Sequence, residues 1–159
     1  MKSMSRVITF ALLVVLLSPT QFARGSASTN PTQKIDEFGD TGCEDEMARL
    51  DNFAVSLLGD PARKGVIIFY GGRRSRGQRP KRGEAAARVA RLKPYLVGRR
   101  GVPADRVTVM NGGYMSKYRV ELWIILPGAG LPVPHPTIPA AQIKFRKGRV
   151  NPRDYRCRV

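Results

Sequence analysis

GVIIFYGG at residues 65–72, GEAAARVARLKPYLV at 83–97, RVTVMNGG at 106–113 and VELWIIL at 120–126 decide the fold of this chain. Residues 66–70 are an unbroken β-branched and aromatic run, as expected of a strand covered on both faces, and Gly71 and Gly72 are expected to end it. Beyond an arginine-rich insert, Ala85, Val89, Leu92 and Leu96 recur at helical spacing and predict a helix over 84–97, with Arg88, Arg91 and Tyr95 on a neighbouring face. Pro94 lacks the amide that would bond to Ala90, which predicts a kinked or tightened last turn. Arg99 and Arg100 suit the negative end of that helix, and Gly101 permits the turn after it. Residues 106–110 alternate as a second strand. Asn111, Gly112 and Gly113 are expected to form a tight turn, after which 120–126 returns antiparallel. The stretch therefore reads as a parallel β-α-β unit with an antiparallel strand appended.

Upstream, Thr41 followed by Glu44 has the spacing of a capping box, and Glu44, Asp45 and Glu46 suit the positive end of a helix dipole. Behind them Met47, Leu50, Phe53, Ala54, Leu57 and Leu58 make one apolar face, and Gly59, Asp60 and Pro61 stop the helix. The three acids point around that helix rather than together, so they read as dipole partners and not as a metal site. Residues 34–38, anchored by Ile35 and Phe38, make a short candidate strand, and the polar 28–33 is expected to be flexible. The expected fold class is α+β, in the order β-α-β-α-β-β, with two helices packed on one face of a mixed sheet.

Residues 1–27 read as a secretory signal peptide: Lys2 and Arg6, an apolar run over 7–17, then Pro19 and the small residues Gly25, Ser26 and Ala27. The run falls short of the ~20 apolar residues a span needs, and no second stretch reaches that length, so the mature chain is expected in the periplasm or secreted, without a transmembrane span. Cys43 and Cys157, the only two cysteines, are then expected to pair in an oxidising compartment. After Leu126 the chain turns to PGAGLPVPHPTIP, an expected polyproline-like arm. It carries the single histidine, His135, which reads as solvated rather than catalytic. Residues 144–158 are a basic tail with Phe145 and Tyr155. The chain thus divides into a signal peptide (1–27), a flexible segment (28–33), a folded module (34–126) and an arm with a basic tail (127–159).

The formal net charge is +16, and it is unevenly placed: eight acids face Lys34 and Arg49 over residues 28–60, while almost every later charge is basic. Such a surface attracts polyanions without specifying which. The glycine turn after 66–70 lacks GxGxxG spacing, and there is no GxSxG, no HExxH and no cysteine beside a histidine. The expectation is a non-enzymatic protein with no cofactor or metal. Export and the lack of a recognised binding motif argue against nucleic acid as the partner.

The runs MARLDNFAVSLLGDPARKG, VIIFYGG, ARVARLKPYLV and RRGVPADRVTVMNGG, within residues 34–125, resemble the OmpA-like domain, the wall-binding C-terminal module of outer-membrane protein A and its relatives. In that family a strand-end Gly-His-Thr-Asp motif and a helix arginine grip diaminopimelate in peptidoglycan. The resemblance puts the arginine at Arg88, able to make the forked pair of guanidinium with carboxylate. This chain departs from the pattern at Gly72, Arg73 and Arg74, which stand where the family has His, Thr and Asp, and at Ala85 and Lys81 in place of a serine and an asparagine. Two readings of Arg88 stay open, a ligand fork or a solvent-facing helix arginine. Candidate ligand-binding residues are Arg88, Arg73, Arg74 and Arg91, with Arg76, Arg79, Lys81 and Arg82 completing a basic loop. An anionic cell-wall or envelope polymer is the expected partner. A basic interaction protein with no wall-specific pocket is the alternative.

Overall fold

The computed structural model describes residues 31–75, 77–155 and 157. The expected signal peptide lies outside them, as do 28–30. Within them the strands are β1 (Thr32–Phe38), β2 (Lys64–Gly72), β3 (Val107–Met115) and β4 (Arg119–Ile125). The helices are α1 (Cys43–Leu58), α2 (Glu84–Val89) and α3 (Leu92–Arg100). The fold class is α+β, with one mixed sheet in the order β1-β4-β2-β3. β2 and β3 run parallel, and β4 lies antiparallel between β1 and β2.

Alternation sorts the strands onto two faces. Ile67, Phe69, Val107, Val120, Leu122 and Ile124 meet Leu50, Phe53, Leu57, Val89, Leu92 and Leu96 of the helices in the main core. Val66, Ile68, Tyr70 and Ile125 make a smaller cluster on the opposite face, with Met110, Met115 and Trp123 packed against it. β2 is buried from Gly65 to its end, which is why its sequence shows no polar alternation.

Several local readings need correction. Asn111, Gly112 and Gly113 do not turn; they continue β3, and the chain reverses at Ser116 and Lys117. Gly112 is needed because a Cβ there would fall inside the Tyr70 ring. Gly113 takes φ 89° where the pairing slips from Phe69↔Asn111 to Gly71↔Tyr114. β4 forms no hairpin with β3; it crosses to the far side of β2, pairing Val66 with Trp123 and Ile67 with Leu122. Its buried face-to-face run suits a central strand, whereas half-exposed β3 serves at the edge. Gly71 and Gly72 belong to β2 rather than ending it, and Thr32 and Gln33, expected in the flexible segment, belong to β1.

The second helix is broken. Ala90 and Arg91 form a turn, and α3 starts afresh at Leu92. Pro94 is thereby the third residue of a new helix, where a missing amide costs no intrahelical bond. α3 then runs on to Arg100, with Gly101 at φ 71°. There is no capping box at α1 either: Gly42 is the cap, and the Thr41 hydroxyl donates to the Asp45 carboxylate.

The proline-rich arm packs back on the sheet. The Thr137 and Ile138 amides both donate to Tyr114 O at 3.0 Å, Ile138 makes an antiparallel bridge with Tyr114, and the His135 amide donates to the Tyr70 hydroxyl at 3.3 Å. The His135 side chain is exposed. Beyond the arm, Cys157 returns to Cys43, the first residue of α1, as a disulfide-compatible pair with Cα atoms 5.5 Å apart. Among the described residues no helix is long and apolar enough to cross a membrane.

Candidate functional site

The ends of β2 and β3 and the loop to α2 carry most of the expected site. α2 is preceded by Gly83 at φ 80°, and its first residue, Glu84, folds back to accept the Lys81 amide at 2.8 Å and the Ser75 hydroxyl at 2.5 Å. Burial alone would raise the Glu84 carboxyl, but these two bonds, with Arg146 and Arg88 nearby, hold it below the ordinary range. The loop is thus pinned at both ends by one carboxylate.

The four candidate arginines fall into two separate groups. Arg73 and Arg74 are exposed on the loop. The Arg73 amide donates to Met115 O at 3.0 Å, and Arg74 Nη1 donates to Gly77 O at 3.1 Å. Arg88 is not the solvent-facing helix arginine of one expectation. Its side chain is 9% exposed, paired with Asp40, and its guanidinium lies 4.0 Å from the Tyr118 ring centroid. Burial works against its charge, and Asp40 more than compensates, so it stays firmly protonated. Arg91 spends its fork on Glu46, with Nε to Oε1 at 2.8 Å and Nη2 to Oε2 at 2.6 Å. Its Nη1 donates to Arg88 O at 2.8 Å and also to Tyr155 O. Burial pushes the Glu46 carboxyl up even so, against the pull of Arg91. The cavity beside Arg88, lined by Gly71, Ser75, Glu84, Tyr114 and Tyr118, holds only about 70 Å³, well below the roughly 300 Å³ at which small-molecule pockets begin.

The consecutive acids of α1 diverge as expected. Glu44 is exposed, Asp45 meets Arg49, and Glu46 meets Arg91. Among the described residues no group of three His, Cys, Asp or Glu is placed to hold a metal.

Two features were missed. One is Asp40, in the β1–α1 connection, as the partner of Arg88. The other is the position of the tail. Arg146 joins Lys81 through a parallel bridge; its amide donates to Pro80 O at 3.0 Å, and its Nε donates to Arg79 O at 2.9 Å. Lys81 Nζ reaches Arg149 O at 3.0 Å. The tail's basic composition was visible, but a contact across some 65 positions has no local mark. Comparison with known proteins finds no match to this chain: no family model, no curated protein and no solved structure.

The charge distribution is the site's clearest property. Of the acids in β1, α1 and their connection, all but Glu44 are in ion pairs: Asp36 and Asp45 with Arg49, Glu37 with Lys34, Asp40 with Arg88, Glu46 with Arg91, and Asp51 with Arg100. Among the described residues Arg73, Arg74, Arg79, Arg82, Lys117, Lys147 and Arg149 make no ion pair, and all are exposed. The acids of the first part of the chain are thus largely neutralised internally, and a cluster of unpaired positive charge stands at the loop end of the sheet, although Lys64 and Arg99, elsewhere among the described residues, are also exposed without an ion pair.

Proposed function

We propose that this chain is a non-enzymatic exported protein, a divergent OmpA-like module that holds an anionic envelope polymer by charge, through the basic loop after β2. The observation that carries the reading is a local cluster: among the described residues Arg73, Arg74, Arg79 and Arg82, with Lys147 and Arg149 of the tail, are exposed and make no ion pair around the loop after β2, while the acids of β1 and α1, Glu44 apart, are held in ion pairs. The element order, with its second helix in two pieces, is compatible with the OmpA-like resemblance. The signal-like leader and the disulfide-compatible cysteine pair support an oxidising compartment outside the cytoplasm. Because Arg88 is engaged by Asp40 and Arg91 by Glu46, gripping of a wall peptide by either fork is not the favoured mode. Binding through Arg73, Arg74, Arg79 and Arg82 is electrostatic and tolerant of polymer sequence.

Counterions screen such contacts over ~10 Å at ordinary ionic strength. Retention of the mature chain on purified wall sacculi is therefore expected to fall steeply between low and high salt. Salt-independent retention, or none at low salt, would remove the polyanion reading.

A further inference from the structure

The Arg82 guanidinium lies 4.6 Å from the centroid of the Phe145 ring, and that ring meets Tyr114 edge-on at 6.1 Å and 67°. A guanidinium held against an aromatic face keeps its N–H edge outward while losing rotational freedom. Arg82 is thus a loop cation whose orientation is set in advance by an aromatic ring, and that ring comes from the tail. The tail itself is anchored by buried Ile143 and by the hydrogen bonds to Pro80, Arg79 and Lys81 described above. Gly148, at φ 116°, lets the chain pass close to the Lys81 side chain. Lys81 and Arg146 are partly used in this joint, whereas the side chains of Lys147 and Arg149 project from it, exposed.

We propose that the tail is the second half of the anion-binding face, and that Phe145 sets Arg82 as an oriented fork for the phosphate groups of a linear phosphate polymer. The inference rests on the polyanion reading above. Arginine dominates this face, and planar forks recognise phosphate bidentately. The cations lie along two joined segments on open surface rather than around a pocket, which suits a chain of anions better than a single small one.

The test uses the mature, oxidised chain and linear inorganic polyphosphate, with poly-glutamate and vesicles of anionic phospholipid as parallel arms, each titrated over a salt series. Arg82→Lys keeps the charge but loses the planar fork, and Phe145→Leu keeps the charge but removes the ring that orients it, so in both the salt slope is expected to stay while polyphosphate affinity falls about three-fold, the scale of an exposed cation–π or forked contact. Lys147→Gln combined with Arg149→Gln is expected to flatten the slope of log K against log salt by about 1.4, at ~0.7 per contact for a flexible polyanion. Wild-type affinity and slope in all of these variants would overturn the tail's role. Equal or tighter binding to poly-glutamate or to vesicles would overturn the assignment to phosphate chains. No binding of any arm by the wild type at low salt would instead remove the underlying polyanion reading. Arg82→Lys alters one exposed residue, so a folding defect in Phe145→Leu does not obscure the result.

Discussion

Replacing Asp40 with Asn should destabilise the protein more than removing Arg88 itself. The Arg88 side chain is 9% exposed, while that of Asp40 is 41% exposed. Losing the acid strands a guanidinium inside, where breaking a fully buried pair costs about 3–5 kcal/mol. Water reaches the Asp40 side of this pair and the Tyr118 ring still faces the cation, so roughly half of that range applies, about 2 kcal/mol. Arg88→Met keeps an unbranched stem against Tyr118 and removes the buried charge altogether. It leaves Asp40 able to hydrate, and its cost should stay below about 1 kcal/mol. Urea unfolding of both variants, cysteines oxidised, gives the two values from the midpoints if the slopes match. A larger loss for Arg88→Met than for Asp40→Asn would refute the claim that the carboxylate exists to compensate a buried cation.

Three further outcomes follow from the geometry. Burial pushes the Tyr118 phenol up to about 12, against the pull of Arg88; its contribution is therefore intact below the ordinary pKa near 10 and is lost as pH rises through about 12, and Tyr118→Phe should reduce this alkaline loss of roughly 2–3 kcal/mol. A bond between Cys43 and Cys157 would close a loop of 114 residues, so the double alanine variant should lose up to about 4 kcal/mol, and intact mass without reductant would show two hydrogens fewer in the native chain. Gly112→Ala drives a methyl into the buried Tyr70 ring and should cost about 1–3 kcal/mol by overpacking, read as a lower melting temperature.

The class of fold was legible because it rests on short-range patterns. The unbroken 66–70, the helical spacing of Leu50, Phe53 and Leu57, and the Ala85 to Leu96 stripe each find the core. What escaped was decided by partners distant in sequence. Asn111, Gly112 and Gly113 look like a turn because positive backbone angles are usually spent on turns; here the Tyr70 ring, 42 positions upstream, claims the space over Gly112. The continuous apolar run VELWIIL was itself a sign that β4 is central, and hairpin reasoning passed over it. Arg88 could be placed on a helix face, but its burial depends on Asp40, 48 positions away. The basic loop was legible as a run of charge, though Arg76 lies outside the described residues, and its union with the tail depends on Arg146 reaching Arg79 over 67 positions.

The docking of the arm changes where this protein can be cut. A fragment ending at residue 126 keeps all four strands and three helices, yet it would uncover Val66, Ile68, Tyr70 and Ile125 together with half-covered Trp123 and Met115. That face would carry the hydrophobic patch and loose β3 edge that bring chains together in solution. A unit that keeps the β3 edge paired must therefore extend at least through Ile138, and truncations that stop at the last strand should precipitate rather than report on binding.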